Sequence, residues 1–237
     1  HGTAISVMRD LGMSNLGAVC NMEYTQPADK SPEAKLAADR YESIYNHFFL
    51  SGMFHKRYPD IVLEGLEPHL PSGWQDDFDT IAAPLDWVGL NYYTRKLIGP
   101  EDGPWPSNAE VDGPLPKTQM GWEVFPKGLS SLLMMMRDTY TGDLPLYISE
   151  SGMANDDPLV GGGVDDAARI AYLQKYVEAM RRAMAAGVPV KGYTIWSLLD
   201  NYEWALGYDK RFGIVHVDYD TLTRTPKASW HALKAAL

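Results

Sequence analysis

The chain has 237 residues, of which 45% are hydrophobic, 22% charged and 11% aromatic. That apolar content suffices for a packed core and excludes a disordered chain, and no run approaches the roughly 20 apolar residues of a membrane helix. With 31 acidic against 21 basic residues the net charge is −10, so neither nucleic acid nor a membrane is an expected partner.

The first residue is His1, and Ala4, Ile5, Met8 and Leu11 follow at helical spacing before Gly12. This reads as the middle of a helix, so an upstream segment is expected. No signal-like segment follows His1. A cytoplasmic location is the expectation, with export left open for want of that upstream segment. The run Leu16 to Asn21 reads as a buried strand, and a long helix is expected from about Ser31 to Tyr58, with Ser31 as cap and Pro32 in the first turn. A second strand covers Trp87 to Tyr93. A loop rich in Pro and Gly runs from about Leu97 to Gln119, and a helix from about Pro126 to Tyr140. Its Met134-Met135-Met136 run reads as helix packing.

The third strand is Leu146 to Glu150. After Gly161-Gly162-Gly163 comes a helix whose expected seam is Ile170, Leu173, Val177, Met180 and Met184, capped by Asp165 or Asp166 and stopped at Gly187-Val188-Pro189. The fourth strand is Val190 to Trp196. Phe212 to Val217 and Thr223 to Thr225 suggest a hairpin, and Lys227 to Leu237 closes as a helix.

Nearly all-apolar strands alternating with helices describe a parallel sheet covered on its faces. An open doubly wound sheet and a (β/α)8 TIM barrel both qualify. The glycine run lacks the G-x-G-x-x-G spacing of dinucleotide folds. Polar or aromatic groups recur at the C-terminal strand ends, at Asn21, Asn91 with Tyr93, Glu150 and Trp196, where a barrel gathers its active site. The expected fold is therefore α/β: residues 1–237 supply the second half of a single barrel domain, strands 5 to 8.

Glu150, ending an apolar strand, is a candidate catalytic carboxylate, although a salt-bridged strand end would look the same. The segment Trp196 to Trp204 interleaves aromatic rings with acids and an amide. Rings stack on the C–H faces of sugars and carboxylates grip hydroxyls, while an ordinary aromatic loop core is the plain alternative. The lone Cys20 permits no internal disulfide and reads as a small buried residue. The scattered histidines lack metal-ligand spacing. Neither metal nor cofactor is expected. On the residues alone, the reading is a carbohydrate-active barrel.

In order along the chain stand DWVGLNYYT (Asp86 to Thr94), MGWEVFP (Met120 to Pro126), YISESG (Tyr147 to Gly152), WSLLDNYEWALGYDKRFGIVHVD (Trp196 to Asp218) and RTPK (Arg224 to Lys227). Together they resemble the C-terminal half of a family 1 glycoside hydrolase, most like the bacterial β-glucosidases. The resemblance implies a retaining hydrolase acting on terminal β-D-glucosyl residues. Glu150 would be the nucleophile, in Ile148-Ser149-Glu150-Ser151-Gly152 where the family usually has I/V-T-E-N-G. Tyr93 would hydrogen-bond it, with Asn91 beside it as a substrate-binding residue. Glu203, Trp204, Trp196 and Phe212 would form the glycone site, and Trp122 the aglycone platform. The resemblance also implies an acid/base glutamate in a T-x-N-E-P motif, which this sequence lacks. That residue is expected from an N-terminal half, attached or as a separate chain, which would be this chain's partner besides a β-glucoside or cello-oligosaccharide. A non-catalytic sugar-binding relative, an inactive half-barrel, and a β-galactosidase or β-fucosidase stay open. So does a 6-phospho-β-glucosidase, disfavoured because Glu203 would repel a dianion.

Overall fold

All four apolar runs become strands, and they pair side by side. The computed structural model describes residues 1–237. Its first elements are helix α1 (Gly2–Asp10), strands β1 (Gly17–Asn21) and β2 (Tyr24–Pro27), and helices α2 (Pro32–Glu42), α3 (Phe48–His55), α4 (Asp60–Leu66) and α5 (Phe78–Ile81). Strands β3 (Trp87–Asn91), β4 (Arg95–Pro100) and β5 (Asn108–Val111) follow, then α6 (Pro126–Met136), β6 (Leu146–Ser151), α7 (Ala167–Ala185) and β7 (Val190–Ile195). The chain closes with β8 (Val215–Val217), β9 (Arg224–Pro226) and α8 (Ala228–Ala236). No helix is long and apolar enough to cross a membrane.

The main sheet is wholly parallel in the order β1-β3-β6-β7. Its register sets Asn21 opposite Asn91 and Asn91 opposite Glu150, so the polar strand ends share one edge. Parallel pairing requires covered crossovers, and α6 and α7 supply the cover. Val88, Leu90, Leu146 and Ile148 pack against Leu129, Leu133 and Tyr176 in one core cluster. Met134, Met135 and Met136 pack against this same core, as helix packing requires. The outer edges of β1 and β7 have no partner strand. An apolar cavity of about 560 Å³ runs beside β1, lined by Val19, Cys20, Phe48, Phe49 and Met53 among others.

Several expectations need correction. The helix expected over Ser31 to Tyr58 is interrupted by a π turn at Ser43–His47, although Ser31 caps it as read, its Oγ accepting from the Ala34 N–H at 3.1 Å. The expected loop from Leu97 to Gln119 holds most of β4 and all of β5, which join β2 in a second sheet. Short strands interrupted by Pro and Gly leave little periodicity to read. Helix α7 starts where expected, but Asp166 makes no side-chain cap, because its carboxylate holds Ser229 and Arg169 instead. Its buried face is also turned. Arg169, Tyr172, Tyr176, Ala179 and Ala183 face inward with Leu173, while Met184 is 45% exposed. Hydrophobicity alone favoured the aliphatic stripe; the tyrosines win because their hydroxyls find partners inside. Cys20 is only partly buried on the edge strand, and burial still raises its thiol to about 11. The hairpin forms as β8 with β9, leaving Phe212 before it.

Candidate active site

Successive side chains of an extended chain point to opposite faces, and this sorts the residues at the sheet's C-terminal edge. Past the end of β3, Tyr92 enters the core and its hydroxyl donates to the Phe125 carbonyl at 2.7 Å. Tyr93 therefore faces the other way. At the end of β6, Ser151 is fully buried and Glu150 is turned to the same side as Tyr93. The two meet: the Tyr93 hydroxyl donates to Glu150 Oε2 at 2.6 Å. Burial, followed by that hydrogen bond, pushes the Tyr93 phenol well above its ordinary value, so it stays protonated and remains a donor.

Gly152 explains how the next strand reaches the same place. A Cβ there would sit 1.8 Å from the Trp196 carbonyl oxygen, and the Trp196 N–H donates to the Ser151 carbonyl. Only glycine allows that approach, which brings the segment after β7 across the end of β6. With a cis peptide at Trp196-Ser197, this segment carries Trp196, Glu203 and Trp204 to the cavity wall.

Tyr93, Glu150, Trp122, Trp196, Glu203, Trp204 and Phe212 line one cavity of about 390 Å³. Asn91 does not line it; its Oδ1 accepts from Ser149 Oγ at 2.8 Å. The Tyr93 ring lies 5.4 Å from Trp122 and 6.3 Å from Phe212, forming an aromatic corner around the carboxylate. Trp204 is 78% exposed and forms an open lip. Burial raises the Glu203 carboxyl above its usual range, the negative charge of Glu150 adds to this, and the Trp196 indole partly opposes it. Glu203 Oε2 is buried without a protein partner, so it is available to accept from a ligand hydroxyl. Lys210 is engaged with the Gln119 carbonyl at 3.1 Å.

The cavity has a second wall, where Asn21, read from the sequence as a polar strand end, is joined by Glu23 and Tyr45, which sequence reasoning did not identify, and by Met22 and Thr94. Tyr41 donates to Glu23 Oε2 at 2.6 Å, and Asn21 Nδ2 donates to the Tyr45 hydroxyl at 2.7 Å. Tyr41 and Tyr45 are four apart and stack at 5.7 Å. That helical spacing was the one available signal.

Behind the cavity lies a buried charge network. Lys227 Nζ reaches Asp157 at 2.5 Å and Asp200 at 2.9 Å, Arg169 reaches Asp157 at 2.7 Å and also Asp166, and Arg211 reaches Asp200 at 2.7 Å. Asp200 also accepts from the Gly213 N–H at 3.0 Å. Three anions balance three cations, which is the condition for burying such charges. The network ties the loop after β6, the start of α7, the Trp196–Phe212 segment and the start of α8 to one another. Burial pushes the Asp157 carboxyl up, but Arg169 and Lys227 outweigh it and hold it below the usual range. Burial and the nearby Arg211 charge hold the His216 imidazole below its ordinary value.

Both shifts make stability pH-dependent. The His216 contribution is complete above its unfolded value of about 6.5 and is lost as pH falls through its lower folded value. The Asp157 contribution is complete above its unfolded value of about 3.9 and is lost below that. Their joint share of the melting temperature is expected to fall in two stages, starting below roughly pH 6.5 and again below roughly pH 4, against the raised carboxyls of Glu23, Glu42 and Glu203, which gain stability as pH falls. Thermal melts of wild type and His216→Gln from pH 8 to pH 3 check this: the two profiles should differ in slope between pH 7 and pH 4, and parallel profiles there would contradict it.

The sequence model described as Glycosyl hydrolase family 1 matches residues 1–236. The chain is 40% identical over 238 residues to a 1,4-beta-D-glucan glucohydrolase of Thermotoga neapolitana, covering 98% of this chain and 53% of the relative. Among solved structures, the family 1 β-glucosidase from Thermotoga maritima superposes with a TM-score of 0.95 at 39% identity, covering all of this chain and 54% of that one. A complex of the Thermotoga maritima β-glucosidase with deoxynojirimycin superposes equally well, with a TM-score of 0.95 at 38% identity over 100% of this chain and 54% of that one. This chain thus spans about half the length of the relatives it matches.

Proposed function

The chain belongs to glycosyl hydrolase family 1, and from that premise we propose that it carries the nucleophile half of a retaining β-glucosidase. The observation that carries this reading is the 2.6 Å hydrogen bond from Tyr93 to Glu150 within a cavity shared with Glu203 and tryptophan rings. Glu150 attacks the anomeric carbon of a β-glucoside. A bond forms from C1 to the carboxylate oxygen as the bond from C1 to the leaving oxygen breaks. Water then hydrolyses the glycosyl-enzyme, returning the β configuration. Tyr93 holds the attacking carboxylate in line. Trp196 stacks beneath the sugar, while Glu203 and Trp204 grip its distal hydroxyls. Phe212 borders the glycone side, Asn91 supports the strand end through Ser149, and Trp122 receives the leaving group.

Protonating the leaving group takes a second carboxyl about 5–5.5 Å from the first. Glu203 is assigned to binding, so the acid/base comes from a further four strands that pair with the open edges of β1 and β7 and cover the apolar cavity beside β1. Such closure is what unpaired parallel edges require. Residues 1–237 are on this reading the C-terminal half of one barrel domain, and the partner is its N-terminal half, attached or separate. An unphosphorylated sugar fits best, because Glu203 would repel a phosphate and Lys210 is committed to Gln119.

The test is an intact-mass spectrum of the assembled barrel after incubation with 2-deoxy-2-fluoro-β-glucosyl fluoride, whose good leaving group asks little of the acid. One glucosyl adduct mapped to Glu150 is expected. An unmodified folded protein, or an adduct elsewhere, would overturn the assignment. Glu203→Ser is expected to lower kcat/KM for aryl β-glucosides by roughly 10²-fold through loss of hydroxyl binding. Steady-state kinetics check it, and an unchanged kcat/KM removes Glu203 from the glycone site.

A further inference from the structure

The turned face of α7 places two tyrosines directly behind the Glu150–Tyr93 pair, and one is bonded in a way packing alone does not demand. Tyr176 is fully buried. Its hydroxyl accepts from the Phe125 N–H at 3.1 Å and donates to the Tyr93 carbonyl at 3.0 Å. Phe125 lies three residues beyond Trp122 in the chain. A single phenol thus joins the main chain that carries Tyr93 to the segment that carries Trp122. The Tyr172 ring stacks on Tyr176 at 3.8 Å between centroids and holds it in place. The hydroxyl of Tyr172 reaches Ser151 and the Tyr93 carbonyl only at 3.4 and 3.5 Å, too long for strong bonds. Tyr93 lies one residue beyond the last ladder bond of β3, from the Tyr92 N–H to the Glu150 carbonyl at 2.9 Å, and its own N–H and carbonyl enter no strand ladder. Its carbonyl is held from α7, while its hydroxyl points the other way, to Glu150.

We propose that Tyr176 is a positioning residue for the nucleophile: it fixes the Tyr93 main chain from behind the sheet and so keeps the Tyr93 hydroxyl on Glu150. Without that bond the strand end can shift, and the Tyr93–Glu150 geometry loosens although neither group has changed. Misplacement of this kind slows attack while leaving sugar binding largely intact. The effect must act through Tyr93. When the Tyr93 hydroxyl is already absent, removing the Tyr176 hydroxyl costs nothing more.

This inference rests on the assignment of Glu150 as nucleophile, and the experiment separates the two. The assembled barrel, as wild type, Y176F, Y93F and Y93F/Y176F, is incubated with 2-deoxy-2-fluoro-β-glucosyl fluoride, and the labelling rate is followed by intact mass. Expected are a slowing of about tenfold for Y176F and of about 10²-fold for Y93F, with the double variant no slower than Y93F. Steady-state kinetics of Y176F should show the loss in kcat, with KM nearly unchanged. Y172F should label at close to the wild-type rate. Tyr176→Met leaves the same two partners empty with different packing, and should repeat the Y176F slowing should Y176F itself fold poorly. Wild-type labelling by both Tyr176 variants, or a double variant slowed by the product of the two single effects, overturns the role of Tyr176 and leaves the nucleophile standing. Adducts that map away from Glu150 overturn both.

Discussion

Glu150→Gln is expected to lower turnover of aryl β-glucosides by on the order of 10⁴- to 10⁶-fold, with the fold and melting temperature nearly unchanged. The size follows from the chemistry: an amide oxygen is a far weaker nucleophile than a carboxylate, and no covalent glycosyl-enzyme can form. The folding is spared because glutamine has the same shape and its carbonyl can still accept from Tyr93. A second variant separates a missing nucleophile from a disturbed site. Glu150→Gly with added azide is expected to regain turnover and to release the α-glucosyl azide, because the small anion attacks from the vacated face. Near-wild-type turnover by the glutamine variant would remove Glu150 from the reaction. Recovery with azide as a β product would place the missing group on the opposite face.

Lys227→Met is expected to cost about 3–5 kcal/mol of stability. Lys227 is fully buried between Asp157 and Asp200. Its removal leaves three buried carboxylates against two guanidinium groups, an uncompensated charge with no route to water. At the scale of this chain, that lowers the melting temperature by roughly 6–20 °C. Asp157→Asn in the same protein restores neutrality, with Asp166 and Asp200 facing Arg169 and Arg211. The double variant should therefore be more stable than the two single losses predict. Lys227→Arg, which keeps the charge, should fall between wild type and Lys227→Met. Thermal melts of wild type, the three single variants and the double variant decide it; a Lys227→Met protein melting within about 2 °C of wild type would show that the network adds little.

The network also shows where reading the sequence stops. Asp157, Asp166, Arg169, Asp200, Arg211 and Lys227 are spread over 70 residues of chain, and nothing local marks them as partners. Each looks like an ordinary surface charge until the fold removes it from water. Glu23 and Tyr41 are similar: the carboxylate lies in the turn before β2 and its donor on α2, and only the folded chain joins them. The seam of α7 fails for another reason. Leu173 is buried on either reading, and Ala179 and Ala183 stand one residue before the expected Met180 and Met184, so a rotation of about one residue still leaves an apolar face. What decides it is whether the tyrosine hydroxyls find partners, and those partners come from β3 and the Phe125 segment.

Other features were open to direct reading because their cause is local. The strands were visible as short apolar runs, since burial on both faces leaves no polar alternation. Their parallel order followed from the helices between them. The polar ends at Asn21, Asn91 and Glu150 marked the working edge, and the dense segment from Trp196 to Trp204 marked the site. The sequence by itself determined the fold class, the carboxylate at the end of its strand and the aromatic segment from Trp196 to Trp204, because apolar runs and chemically unusual clusters are properties of adjacent residues, whereas Trp122 and Phe212 were implied only by the family resemblance. The tertiary structure decided the turn of α7, the second wall at Glu23 and Tyr45, the diversion of Asn91 to Ser149 and the pairing of the buried charges. Each of those depends on a partner distant in sequence, whose distance, desolvation and hydrogen-bonding reach are settled only when the chain has folded.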